Sequence, residues 1–199
     1  MMPRIVSGAA LGVVMVIVAA CASSPPSHFY TLAPTASASA PASVASKLSV
    51  AVGPVSIPAV VDLPQIVVTT GPNQVSIDEF NRWASPLQNN ISRTVAENLV
   101  LLLGTPRVSQ FQQSLNADSD FRVAIEVQTF ESAPGDAATL NAVWLVRRAR
   151  DGKSETGRTS VREPASDKGY DALAAAHSRA LARMSQDIAD AIRALDRAP

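Results

Sequence analysis

The chain contains one cysteine, Cys21, so no disulfide can form within it. It has two histidines, His28 and His177, too few for a histidine-rich metal site. Aromatic residues make up only 5% of the chain. Neither sign of charge is in excess, since 17 basic residues balance 17 acidic ones. That balance lacks the footprint of a nucleic-acid binder, and no run of like charges marks a basic patch for a membrane surface. No apolar run approaches the roughly 20 residues needed to span a bilayer. A glycine-rich phosphate cradle is missing too, because Gly71 and Gly104 fall where turns are expected. Asp78 and Glu79 are adjacent carboxylates, read as a solvated turn. With no nucleophile beside a base and no metal cluster, the sequence points away from catalysis and calls for no cofactor.

What is present begins at the N-terminus. Arg4 precedes an apolar run from Ile5 to Val18, the length of a signal-peptide core rather than of a spanning helix. The run ends in Val18-Ala19-Ala20-Cys21, which resembles a bacterial lipobox. Small residues before the cysteine let a membrane peptidase approach the backbone closely. On this reading residues 1–20 are a lipoprotein signal peptide and Cys21 becomes the lipidated first residue. The alternative is a buried structural cysteine in a short core helix. Two or three acyl chains on Cys21 would make attachment effectively permanent, where one chain alone binds reversibly. Ala22, in place of the Asp that commonly signals inner-membrane retention, resembles an outer-membrane sorting signal.

Residues 21–46 are rich in Ala, Ser and Pro, the composition of a tether. His28-Phe29-Tyr30-Thr31-Leu32 interrupts it and reads either as a short strand near 29–32 pinning the tether, or as an incidental apolar patch. Residues 47–199 then form one domain. Leu48, Val50 and Val52 alternate as in a half-buried strand, with Gly53-Pro54 expected to make a bulge or an edge. The loop from Pro58 to Pro64 is unusually apolar for a solvated segment. Its Val60, Val61, Asp62 and Leu63 are a candidate partner surface, or else its aliphatic residues tuck under the sheet. Gln65 to Thr70 and Val75 to Ile77 read as a hairpin.

Ser85-Pro86-Leu87-Gln88 predicts a helix start, with Ser85 as N-cap, Pro86 as first helical residue and Gln88 completing a capping box. Its apolar stripe is Leu87, Ile91, Val95, Leu99 and Leu102, and Gly104 ends it. Trp83, just before the cap, is expected to pack on the hairpin, with partner recognition together with Pro86 as the other reading. Strands follow over Phe121–Val127 and Leu140–Val146. A polar edge strand over Ser154–Arg162 is blunted by Lys153, Arg158 and Arg162. A last helix, capped by Asp167, carries Tyr170, Leu173, His177, Leu181, Met184, Ile188, Ile192 and Leu195 on one face, with His177 a hydrogen-bonded structural residue. The order predicts an α+β fold, an antiparallel or mixed sheet with two long helices packed on one face.

Several runs together resemble the auxiliary lipoproteins of MCE-type ABC transport systems, the PqiC-like group. They are the lipobox, Phe29-Tyr30-Thr31-Leu32, Val52-Gly53-Pro54-Val55-Ser56-Ile57-Pro58, Leu63-Pro64-Gln65-Ile66-Val67 and Arg82-Trp83-Ala84-Ser85-Pro86-Leu87. The chain departs in the Pro58–Pro64 loop, where that family often carries an aromatic and an Arg. The resemblance implies a non-catalytic lipoprotein at the periplasmic face of the outer membrane, working with an MCE-family protein and an inner-membrane permease to move lipids and keep the envelope intact. A homo-oligomer is compatible with this. The competing expectation is an adaptor or chaperone for another outer-membrane assembly machine; a small-ligand carrier is a third.

Overall fold

The computed structural model describes residues 25–37, 47–110 and 119–199, so Cys21 and Ala22 lie outside the described residues. In chain order the elements are β1 (His28–Tyr30), β2 (Val50–Ser56), a 3-10 turn (Ala59–Val61), β3 (Gln65–Gly71), β4 (Gln74–Trp83) and α1 (Leu87–Leu103). There follow β5 (Val108–Gln110), β6 (Phe121–Ala133), β7 (Ala137–Arg148), β8 (Ser154–Pro164) and α2 (Tyr170–Arg197). The strands make a five-stranded sheet ordered β5-β2-β6-β7-β8 and a three-stranded sheet ordered β1-β4-β3. Both sheets are mixed. β2 runs parallel to β5 and to β6, β1 runs parallel to β4, and the other pairs are antiparallel.

The alternating residues found in the sequence explain the larger sheet. Phe121, Val123, Ile125 and Val127 of β6, and Leu140, Ala142, Trp144 and Val146 of β7, are all buried. That face meets both helices, with α1 over β2 and β5 and α2 over β6, β7 and β8. Every member of the α1 apolar stripe is buried, and so is every member of the α2 stripe except half-buried Tyr170. The expected α+β arrangement, two helices on one face of a mixed sheet, is therefore present. The hairpin β3–β4 does not extend that sheet. β2 leaves β6 after the pair Ser56–Glu126, and the chain turns out through Pro58 and Pro64 before β3 begins.

Local details correct several expectations. Gly53-Pro54 does produce a bulge, with the register to β6 shifting between Val52 and Val55. β2 is nevertheless an inner strand. The N-cap of α1 is Pro86, not Ser85, and no side chain caps the helix. Gln88 cannot complete a capping box because its amide reaches across to the Val55 carbonyl. Gly104 closes α1 as expected, in the left-handed conformation at φ 64° with its N–H on the Val100 carbonyl. Asp167 does not cap α2, whose N-cap is Gly169; its carboxylate instead accepts the Gly169 N–H at 2.6 Å.

β8 is an edge strand, as its polar sequence predicts, but one of its faces is packed. Trp144 lies across Gly157, where an added Cβ would come within 2.1 Å of the ring. The Trp144 indole donates to Thr159, which donates to Asp187 of α2. Arg148 ends β7. It is fully buried, bonded to Asp151 at 2.5 Å and to the carbonyls of Leu195 and Ala198. It holds the last turn of α2 to β7, satisfying carbonyls that a helix end leaves open.

Residues 28–36, read from composition as tether, are packed onto the domain. The strand expected near 29–32 is His28–Tyr30, pairing with Asn81–Trp83. Beyond it Leu32 is completely buried. The Leu32 N–H donates to Asn90, the Ala33 N–H to Ser178, and the Thr35 and Ala36 N–H groups both to Asn98. Arg93 donates to the Leu32 carbonyl at 2.6 Å, and the Thr35 hydroxyl to the Ser178 carbonyl. The stretch Thr31–Ala36 is thus a strap bound by side chains of both helices.

A candidate docking surface beside the 3-10 turn

The loop from Pro58 to Pro64 divides its residues between core and solvent. The 3-10 turn is closed by Val61 N–H on the Pro58 carbonyl and Asp62 N–H on the Ala59 carbonyl. Such a tight turn cannot send neighbouring side chains to one side. Val61 therefore enters the core at 8% exposure while Val60 stands out at 55%. Asp62 is exposed and Leu63 is half-buried against the core. The tucked-under reading holds for Val61 and in part for Leu63, while Val60 and Asp62 are left on the surface.

Val60 sits on the rim of a groove of about 190 Å³ between the turn, the β3–β4 hairpin and β6. Val61, Val67 and Val75 line it together with Thr129 and Phe130. In the hairpin register Val67 faces Ile77 and Thr69 faces Val75, so these four share one face of the small sheet. Val75 and Ile77 are about half exposed, at 50% and 48%. The alternation of Val75 and Ile77 marked a strand in the sequence. It gave no sign that their face would be left open, since period two says which residues share a face and not what covers it.

Two residues assigned to this surface lie elsewhere. Trp83 is buried, its ring edge-on to Phe130 at 6.3 Å, and its backbone N–H holds the Pro64 carbonyl. Its indole faces the core and presents nothing to a partner. Pro86 is exposed at the start of α1 and does not line the groove.

Behind the hairpin, Asp78 fixes β4 to its neighbours, which corrects its reading as a solvated turn residue. It accepts from the Phe80 N–H at 2.8 Å, the Asn81 amide at 2.9 Å and the Tyr170 hydroxyl at 3.0 Å. The Phe80 and Asn81 bonds outweigh burial and hold its carboxyl below the usual range. Burial, then the Asp78 bond, pushes the Tyr170 phenol up to about 12. Tyr30 packs 6.0 Å from Tyr170 and donates to Asn81. The cluster joins β1, β4 and α2 and holds the hairpin at the groove's edge. Nearby, His177 is fully buried, bonded to Ser132 at 2.8 Å and stacked on Phe130 at 3.7 Å, so the structural reading of this residue stands. Among the described residues no helix is long and apolar enough to cross a membrane.

Known proteins agree with this architecture. A crystal structure of an uncharacterized protein is similar at 22% identity and a TM-score of 0.69, covering 84% of this chain and 99% of that one. A crystal structure of a DUF330 protein from Xanthomonas campestris is similar at 21% identity and a TM-score of 0.69, covering 85% and 98%. At these identities they speak to the fold alone. No curated protein matches the chain. The model of one family, described as the ABC-type transport auxiliary lipoprotein component, matches residues 30–189. Lipoprotein character and service to a transport system thus come from the family, and the chain belongs to the ABC-type transport auxiliary lipoprotein components.

Proposed function

We propose that this lipoprotein is the non-catalytic docking subunit of an MCE-type ABC lipid-transport system. It is held in the outer membrane by acyl chains on Cys21, facing the periplasm, and binds its MCE partner beside Val60. The partner links it in turn to the inner-membrane permease. Residues 47–199, with the strap packed on them, form the working domain, and the stretch from Cys21 to Ser27 connects it to the anchor.

The observation that carries this reading is the exposed Val60 and Val75 at the groove, with exposed Ile77 beside Val75 on the same face of the hairpin. Exposed aliphatic side chains gathered at a concave site favour a partner that removes them from water. A groove of about 190 Å³ has room for a large apolar side chain of that partner. Lipobox residues Val18–Cys21 supply the anchor that such a subunit needs.

Val60→Asp tests it. The substitution places a charge on the rim without touching the core, so the melting temperature should hold while co-purification of the MCE partner is lost. Retained co-purification from cells carrying Val60→Asp overturns the assignment of this surface. Val61 is unsuited to the test, because a charge there would enter the core.

A further inference from the structure

The floor beneath the strap is polar where two packed helices would ordinarily be apolar. Asn90, Thr94 and Asn98 recur every fourth residue along one side of α1, and Ser178 and Ser185 lie on α2. All five are buried. Asn98 also donates to Ser185 across the two helices. Even with the strap in place, the Asn90 amide nitrogen and the Thr94 hydroxyl have no protein partner. An unpartnered buried polar group is unfavourable, and water entering the groove would satisfy it.

Apart from Leu32, its one completely buried apolar anchor, the strap is held by polar contacts. Most of these hydrogen bonds run to side chains, Arg93 among them, which water can replace, while the Thr35 hydroxyl reaches the Ser178 carbonyl. The strand leading into it is three residues long at the edge of the small sheet. Within it Phe29 is 64% exposed. By contrast, the apolar stripes of α1 and α2 pack against the large sheet, and the strap adds one side chain, Leu32, to that core cluster.

From this we propose that β1 and the strap are a releasable length of tether, giving the domain two distances from its membrane anchor. The proposal rests on lipidation of Cys21. With β1 docked, residues 22–27 separate the anchor from the domain and extend at most about 20 Å. Release of β1 and the strap, residues 28–36, adds nine residues to that reach, at most about 30 Å more. The short state holds the domain against the membrane; the long state lets it meet a partner some distance into the periplasm. The groove stays wettable in either state, which is the use of its polar floor.

Hydrogen exchange on the full mature lipoprotein in detergent tests the release. The amides of Leu32, Ala33, Thr35 and Ala36 should exchange through local opening, about 100-fold or more faster than those of Val123 and Leu181 and with little dependence on denaturant. Strap amides exchanging only with the core, at the same rate and with the same denaturant dependence, would overturn the proposal. Leu32→Asp should abolish strap protection while protection of Val123 is kept. If Val123 loses protection as well, the strap is part of the cooperative core and the proposal fails. The mass of the acylated Cys21 peptide separately decides whether the anchor exists. Locally opening strap amides on an unacylated protein would therefore refute the anchored reading and not the release itself.

Discussion

Acid should destabilise this protein well above the pH at which its carboxylates titrate, and His177 is the reason. The imidazole is completely buried, against Phe130 and with one bond to Ser132, and its Nδ1 has no protein partner. Burial pushes its pKa down from 6.5 to about 3. The unfolded chain binds a proton at this residue below about pH 6.5 and the folded chain does not, so stability falls as pH falls. The effect is absent above about pH 6.5 and is complete only near pH 3. Across the window each pH unit costs about 1.4 kcal/mol. From pH 6.5, where the unfolded imidazole is half protonated, to pH 4.5 the loss is about 2.3 kcal/mol, or about 5–9 °C in melting temperature for a chain of this size. Asp78, Asp120 and Asp151 all have lowered carboxyl pKa values. They therefore weaken the fold only at lower pH, near and below their ordinary value of 3.8. Urea unfolding at pH 7, 6, 5 and 4.5 measures the slope, and His177→Met supplies the control by replacing the ring with an uncharged side chain. The slope should be present in the natural protein and nearly flat in the variant. An equal slope in both would show that some other group takes up the proton.

Three further outcomes are expected. Leu99→Ala, at a fully buried site on the sheet-facing stripe of α1, should cost about 2–5 kcal/mol in urea unfolding; a loss under about 1 kcal/mol would mean the stripe is loosely packed. Gly157→Ala should destabilise by about 1–3 kcal/mol through overpacking, because its new Cβ would meet the Trp144 ring, and unchanged stability would disprove that contact. Cys21→Ala should abolish incorporation of labelled palmitate and leave the protein uncleaved or mislocalised, and label retained by the variant would rule out acylation of Cys21.

How far the sequence could be read depended on whether a feature was periodic. Period two along Phe121–Val127 and Leu140–Val146, and three-to-four spacing along Leu87–Leu102 and Leu173–Leu195, reported the core faces correctly. A buried face must be apolar at a fixed repeat whatever lies opposite. Terminators such as Gly104 were equally legible, because their conformational demand is local.

What tertiary structure decided are matters of which element lies against which. Ser85 and Gln88 spell a capping box, yet Gln88 is drawn off by the Val55 carbonyl of a strand more than thirty residues away. Val60 and Val61 are the same residue type side by side, and only the closure of the 3-10 turn sends one outward and the other in. Asn90, Thr94 and Asn98 look like the wet side of a surface helix; they are buried because an Ala/Ser/Pro-rich stretch, composed like a free tether, lies over them. Sequence determined the apolar faces because burial requires them residue by residue. The strap, the groove and the second sheet required the fold, since each depends on a pairing between segments distant along the chain.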